Sequence, residues 1–191
     1  MQHALDLARK ALWLTSPNPR VGCVITAADG TLLGQGHTQR AGGPHAEIMA
    51  LRDAAERGQS VQGATAWVTL EPCAHQGRTG PCCDALATAG IGRVVAAMTD
   101  PNPQVAGQGM ARLAAAGVLT ETLAPDSDIA LQARELNVGF FSRMERGLPW
   151  VRLKVAASLD GQTALANGQS QWITGPQARA DGHAWRARAC A

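Results

Sequence analysis

One histidine and two cysteines stand at spacings that suit a zinc ion. His45 lies in a Pro-His-Ala-Glu segment at residues 44–47, while Cys73 and Cys82 each follow a proline further along the chain. An imidazole and two thiolates are a common ligand set for zinc, and three protein ligands leave a fourth tetrahedral position for water. The sequence therefore predicts a catalytic zinc site with His45, Cys73 and Cys82 as its ligands.

Glu47 is the predicted proton carrier of this site. It stands two residues after His45, a spacing of about 200° on a helix, so the two side chains could not face one metal in mid-helix. At the first turn the entering backbone is not yet helical, and the carboxylate can lean over water held at the metal. Because zinc lowers the pKa of bound water to about 7, a neighbouring carboxylate can take up its proton and deliver it to a substrate.

Two alternatives remain beside this interpretation. Zinc deaminases of nucleobases carry a His-x-Glu segment followed by two cysteines only two residues apart, whereas eight residues separate Cys73 from Cys82. A deaminase acting on tRNA, a nucleoside or a free base is the first alternative, but aromatic residues are only 4% of the chain and the net charge is only +2, which does not favour an RNA-binding groove. A non-catalytic zinc-binding module is the second, and it leaves Glu47 without a role.

The remaining cysteines are more readily explained by packing. Cys83 is turned about 100° from Cys82 on a helix and is predicted to face the core. Cys23 and Cys190 are predicted to be small buried residues. His75 could replace a cysteine as a ligand, but this is the less favoured assignment.

Elements that could position these residues alternate along the chain. Hydrophobic periodicity predicts helices at residues 3–14, 45–57, 81–89, 110–116 and 126–144, and strands at residues 21–27, 31–38, 64–70, 94–98 and 118–122. His45 and Cys82 thus fall at helix starts, where the partial positive charge favours thiolate. This order of elements predicts a three-layer α/β domain with a mixed sheet.

Composition and length limit the function classes. Of the 191 residues, 46% are hydrophobic and 17% charged, which is typical of a globular protein. No apolar run approaches the length of about 18 residues that a membrane helix needs, and the first ten residues do not resemble a signal peptide. We therefore expect a cytoplasmic enzyme without a membrane or nucleic-acid partner.

A domain boundary is predicted at residues 147–149, where Gly-Leu-Pro follows the last helix. Residues 151–155 alternate apolar with basic side chains, the pattern of a strand. The predicted domains are 1–146 and 147–191, and the second is too short for an independent domain, so we expect it to be the first part of a longer one.

Four segments carry a resemblance to a known family. Residues 17–22, 44–47, 68–83 and 100–107 are similar to the deaminase domain of the bifunctional riboflavin biosynthesis deaminase/reductase. The long spacer between the two cysteines is that family's own pattern. The resemblance implies a cytidine-deaminase-like fold and hydrolytic, zinc-dependent deamination of 2,5-diamino-6-ribosylamino-4(3H)-pyrimidinone 5′-phosphate to 5-amino-6-ribosylaminouracil 5′-phosphate.

The resemblance also implies roles by matching position. His45, Cys73 and Cys82 correspond to the zinc ligands and Glu47 to the proton carrier. The positions that correspond to substrate contacts are Asn18, His37, His75, Arg78 and Asn102. An amide suits a pyrimidinone edge, and a guanidinium suits a ribose phosphate. The family further implies a homo-oligomer.

The end of the chain resembles the opening of the family's reductase domain, which is similar to dihydrofolate reductase in fold. By position, Ala156 and Trp172 correspond to residues near NADPH, and Ser170 and Arg186 to residues near the reductase substrate. NADPH belongs to the full-length reductase domain. We therefore expect the chain as given to deaminate but not to reduce.

Overall fold

The computed structural model of the chain describes residues 1–75, 80–103 and 105–189. The chain divides into two compact units, Met1–Pro149 and Trp150–Ala191. The assignment of residues 1–146 and 147–191 to two functional domains remains a prediction. Among the described residues, no helix is both long enough and apolar enough to cross a membrane.

The first unit is built on a five-stranded mixed sheet. Its strands are β1 (Gly22–Thr26), β2 (Leu32–His37), β3 (Thr65–Val68), β4 (Arg93–Ala96) and β5 (Leu119–Thr122), in the order β2-β1-β3-β4-β5. β1 runs antiparallel to β2 and β3, whereas β3, β4 and β5 are parallel. The predicted mixed sheet is confirmed.

Helices cover both faces of this sheet. The helices of the first unit are α1 (Gln2–Lys10), α2 (Ala46–Glu56), α3 (Cys82–Thr88), α4 (Gln108–Ala115), α5 (Asp128–Leu136) and α6 (Val138–Arg146). Alternate residues of a strand face opposite sides, so Val24 packs with α1 while Cys23 and Ile25 belong to the core that α2 shares. The result is the three-layer arrangement that the sequence predicts.

α2 lies unusually close to β2, and glycine makes this possible. A Cβ atom at Gly34 would lie 2.3 Å from the carbonyl oxygen of Ala50, and one at Gly36 would lie 2.5 Å from Cβ of Met49. These distances are too short for any other residue, so the two glycines set the height of α2 above the sheet. The beginning of α2, with His45 and Glu47, is fixed by the same packing.

Two predicted elements differ from the structure, and a third ends early. The single helix expected at residues 126–144 is two helices, because Asn137 ends α5 and turns its side chain toward the backbone of Arg20. α1 ends at Lys10 and a turn follows it, not four more helical residues. The strand expected at residues 151–155 does not form: no neighbouring strand in the described part of the second unit supplies its hydrogen bonds.

The second unit contains one helix among its described residues, α7 (Pro176–Ala187). Trp185 of this helix lies between two guanidinium groups, those of Arg152 at 3.7 Å and Arg188 at 4.5 Å from the ring centre. These cation–π contacts hold residue 152 against α7.

Candidate metal centre and active-site cavity

Helix starts and one loop position the three predicted ligands. His45 is the extended residue that precedes α2 (φ −77°, ψ 169°), and Cys82 is the first residue of α3, after Pro81. Cys73 lies in the loop that follows β3, and its carbonyl oxygen accepts a hydrogen bond from the backbone N–H of Cys83 (3.3 Å). This bond ties the loop to the start of α3.

The three ligand atoms converge. Nδ1 of His45 lies 3.6 Å from Sγ of Cys73 and 3.4 Å from Sγ of Cys82, and the ligand atoms all lie within 4.8 Å of one another. Tetrahedral zinc with Zn–S bonds of about 2.3 Å and a Zn–N bond of about 2.05 Å requires an N···S separation of about 3.6 Å. The geometry and the donor atoms therefore both fit zinc.

The pKa values of the two cysteine sulfurs are shifted in opposite directions. The hydrogen bond from Cys82, together with contact with His45, lowers the pKa of Cys73 to about 4, and the backbone N–H of Cys82 also donates to its sulfur (3.4 Å). The same interaction with Cys73, followed by burial, raises the pKa of Cys82. One thiolate is thus already stabilised at the site, and the second thiol must lose its proton when a cation binds.

Glu47 lies beside this cluster and is almost fully buried, with 3% of its surface exposed. It is the second residue of α2, two positions after His45 in the chain, and its carboxylate lies close enough to Cys73 and Cys82 to interact with both. Burial, followed by the negative charge on Cys73, raises the pKa of Glu47 to about 7. A buried carboxylate that is not held by a fixed ion pair is suited to take up and release a proton.

A cavity of about 480 Å³ opens onto the cluster. Three of the predicted substrate contacts line it: Asn18, His75 and Asn102. His37 is not among its lining residues; Nδ1 of its ring lies 3.2 Å from the carbonyl oxygen of Thr38. Arg78 lies outside the described residues.

His75 presents an unsatisfied polar atom at this cavity. Its Nδ1 is buried and has no hydrogen-bond partner among the described residues. Because a buried polar atom without a partner is costly, this nitrogen is suited to bind a ligand that enters the cavity. The neighbouring His45, by contrast, is held by the cysteine sulfurs.

Sequence reasoning missed three charged residues of the cavity wall, which are Glu71, Asp100 and Arg143. Asp100 is 7% exposed, and burial raises its pKa to about 6. It lies in the 100–107 segment that carried the family resemblance, and that segment was the signal available for it. Arg143 of α6 also lines the cavity, and no hydrogen bond or ion pair joins its guanidinium to another described residue. Nothing in the sequence near the metal motifs points to Arg143.

A comparison with protein families shows the family to which the chain belongs. The profile described as "Cytidine and deoxycytidylate deaminase zinc-binding region" matches residues 1–98, just over half of the 191 residues. The chain belongs to this family. Zinc as the cofactor of this zinc-dependent deaminase family agrees with the His-Cys-Cys cluster, so the prediction of zinc is confirmed. A second profile, described as "RibD C-terminal domain", matches residues 149–191.

Longer relatives resemble the chain over its whole length. The riboflavin biosynthesis protein RibD of Escherichia coli is 55% identical over 189 residues, which are 98% of this chain and 49% of that protein. The structure of Acinetobacter baumannii RibD (form 2) is 51% identical with a TM-score of 0.87, and covers 100% of this chain and 51% of its own. The chain thus spans about half the length of the relatives it matches.

A more distant structure preserves the same fold. A diaminohydroxyphosphoribosylaminopyrimidine deaminase/5-amino-6-(5-phosphoribosylamino)uracil reductase of Thermotoga maritima is 38% identical, with a TM-score of 0.89 over 97% of this chain and 51% of its own. The predicted cytidine-deaminase-like fold of this zinc-dependent deaminase is therefore confirmed.

The positions predicted to serve a reductase lie in the second unit. Ala156 and Ser170 lie outside helices and strands. Trp172 is 68% exposed, with the Arg179 guanidinium 4.2 Å from its ring centre. Nη1 of Arg186, in α7, lies 3.4 Å from Nδ1 of His183. Their roles remain predictions.

Proposed function

We propose that the unit Met1–Pro149 catalyses zinc-dependent hydrolytic deamination of 2,5-diamino-6-ribosylamino-4(3H)-pyrimidinone 5′-phosphate, the deaminase step of riboflavin biosynthesis. The observation that carries the proposal is the convergence of the ligand atoms of His45, Cys73 and Cys82 within 4.8 Å, beside the buried carboxylate of Glu47 and on one cavity. A structural zinc site needs neither a buried acid nor a cavity.

The chain's own residues supply the proton transfers. His45, Cys73 and Cys82 hold the zinc ion, which when bound makes water acidic enough to act as a nucleophile near neutral pH. Glu47 accepts one proton from the water whose oxygen attacks the amino-bearing ring carbon, and passes that proton to the ring nitrogen. The second proton travels through the same carboxylate to the amino group, the C–N bond breaks, and ammonia leaves as the ring carbonyl forms. One water is consumed for each ammonia released.

The cavity walls support a polar, phosphorylated substrate. A volume of about 480 Å³ falls in the range for small-molecule sites, which is about 300–1,000 Å³. Asn18 and Asn102 offer amide groups to a pyrimidinone edge, and Nδ1 of His75 offers a buried polar atom. Arg143 offers a positive charge for a phosphate.

The relatives support this choice of substrate over a nucleoside or tRNA. Relatives at 44–55% identity are riboflavin biosynthesis proteins, whereas the similarity to a tRNA:A34 deaminase structure is 25% identity with a TM-score of 0.51. The second unit is then the start of an NADPH-dependent reductase domain, in keeping with the profile that matches residues 149–191. We extend the proposal to a cytoplasmic homo-oligomer, by resemblance to the family.

The test measures metal content and ammonia release on the same preparation. We expect the 191-residue chain to bind one zinc ion per chain and to release one ammonia per molecule of the pyrimidine ribotide. Cytidine, dCMP and adenosine serve as competing substrates. Deamination of one of these without turnover of the ribotide would contradict the proposal, and zinc binding without any turnover would favour the non-catalytic alternative.

A further inference from the structure

The carboxylate of Glu71 is buried and serves as an acceptor for four backbone N–H groups. Its Oε1 accepts from Gly109 (2.8 Å) and Met110 (3.2 Å), and its Oε2 accepts from Asp100 (3.1 Å) and Gly107 (2.9 Å). Only 3% of its surface is exposed. A carboxylate with this many charge-assisted hydrogen bonds is held in a single orientation.

The backbone around Glu71 is fixed from two sides. Its own N–H donates to the carbonyl oxygen of Met98 (2.9 Å), which extends the pairing of β3 with β4. Two residues later the chain reaches Cys73. The backbone of Glu71 therefore connects the sheet directly to the segment that contains the zinc ligand Cys73.

The four donors bracket a cavity-lining segment. Asp100 lies in the loop between β4, which ends at Ala96, and α4, and Gly107 is the last residue before α4. Asp100 and Asn102 line the cavity, and the backbone N–H of Asn102 donates to Oδ1 of Asp100 (2.8 Å). The loop therefore meets the cavity through residues whose backbone is tied to Glu71.

α4 also touches the chain next to Glu71 directly. A Cβ atom at Gly109 would lie 1.9 Å from the carbonyl oxygen of Pro72. Because only glycine allows this approach, the N-terminus of α4 rests on the backbone between Glu71 and Cys73. The positive end of the helix then faces the buried carboxylate, which stabilises its charge.

We propose that Glu71 is a positioning residue that fixes Asp100 and Asn102 at the cavity wall relative to Cys73, and so sets substrate affinity. It acts through hydrogen bonds from both ends of the loop to one side chain. The proposal rests on the proposed function for its kinetic readout but not for its structural readout.

The test compares Glu71→Gln with Ile25→Val in the zinc-bound chain. Glutamine keeps the shape but replaces one acceptor oxygen with an NH₂ group, which cannot accept from the N–H groups that face it. Ile25 is fully buried in β1, so Ile25→Val lowers stability without altering the loop. We expect Glu71→Gln to raise KM for the ribotide about tenfold, with kcat changed by less than about threefold and zinc content unchanged.

Amide hydrogen exchange, measured by NMR, supplies a readout that needs no substrate. In Glu71→Gln one pair of amides loses its acceptor, either Asp100 and Gly107 or Gly109 and Met110, and that pair should exchange at least about tenfold faster, while the amides of β1 keep their protection. Gly109→Ala should give the same rise in KM, since it displaces α4 with the carboxylate intact. Unchanged KM, or exchange at both pairs of amides no faster than in Ile25→Val, would overturn the proposal. If the unsubstituted chain does not turn over the ribotide, the proposed function fails and the exchange rates alone decide the role of Glu71.

Discussion

The side chain of Asn137 forms a paired hydrogen-bond contact with the backbone of Arg20. Its Oδ1 accepts from the N–H of Arg20 (2.7 Å), and its Nδ2 donates to the carbonyl oxygen of the same residue (2.9 Å). Nδ2 also donates to the carbonyl oxygen of Ala133 (3.2 Å). Asn137 is fully buried at the junction of α5 and α6, so it joins this junction to the segment that contains Asn18.

Asn137→Ala should therefore lower the stability of the first unit. The substitution removes two hydrogen bonds with the backbone of Arg20 and one with the carbonyl oxygen of Ala133, and a hydrogen bond contributes about 0.5–1.5 kcal/mol. We expect a free energy of unfolding lower by about 2–4 kcal/mol in urea. Gln132→Ala is the matched control, because Gln132 makes an exposed hydrogen bond to Arg9 (2.8 Å) and should change stability by less than about 0.5 kcal/mol. Equal losses of unfolding free energy in the two variants would mean that the buried side chain of Asn137 contributes no more to stability than an exposed hydrogen bond.

The same contact explains what the sequence could not predict about this helix. The apolar periodicity continues through residues 126–144 and indicates one helix. The break at Asn137 depends on a partner 117 positions away in the sequence, which local periodicity does not register. The buried strand β4, by contrast, follows from a continuous apolar run, and Val94, Val95 and Ala96 are fully buried.

Glu47→Gln should abolish turnover while leaving the metal in place. The amide keeps the size of the side chain but cannot carry a proton, and general acid–base groups contribute about 10²–10⁴-fold to a rate. We expect kcat for ammonia release to fall by about 10²-fold or more, with one zinc ion per chain retained. Glu56→Gln, at the exposed end of the same helix, is the control and should match the unsubstituted chain. Turnover within about twofold of normal in Glu47→Gln would exclude the proton-carrier role.

His45→Ala should lose the zinc ion. Two sulfurs alone cannot complete a three-ligand site, and loss of a ligand removes much of the affinity. Zinc measured by atomic absorption after dialysis should fall from one ion per chain to a small fraction. His3→Ala is the control, since His3 is bonded to Gln35 (2.6 Å) on the surface. Stoichiometric zinc in His45→Ala would contradict the ligand assignment.

Removal of zinc should destabilise the first unit. A ligand that binds only the folded state stabilises it by about 4 kcal/mol when its free concentration is about 1,000 times its dissociation constant. We expect a chelator to lower the Tm of the unsubstituted chain by several degrees and added zinc to restore it. The Tm of His45→Ala should not respond to the chelator. A decrease of the same size in this variant would mean that the chelator does not act by removing zinc from His45, Cys73 and Cys82.

The site could be predicted from the sequence only where its residues cluster in short motifs. His45, Cys73 and Cys82 each follow a proline, Glu47 lies two residues after His45, and these residue types indicate metal chemistry. Arg143 gives no such signal, because it reaches the cavity only through the packing of α6. A residue that reaches the cavity through long-range packing therefore cannot be predicted from a short sequence motif.

Arg143 gives the sharpest test of how the cavity selects its substrate. Among the described lining residues it is the one with a guanidinium, whereas Glu47, Glu71 and Asp100 are acids, so a phosphorylated substrate needs a cation here to offset their charge. Arg143→Met should raise KM for the pyrimidine ribotide about tenfold, the equivalent of about 1.4 kcal/mol, and leave KM for the unphosphorylated riboside unchanged. Arg146→Met, an exposed arginine at the end of α6 that does not line the cavity, is the matched control. If Arg143→Met weakened ribotide and riboside equally, the side chain would be shaping the wall and not recognising the phosphate.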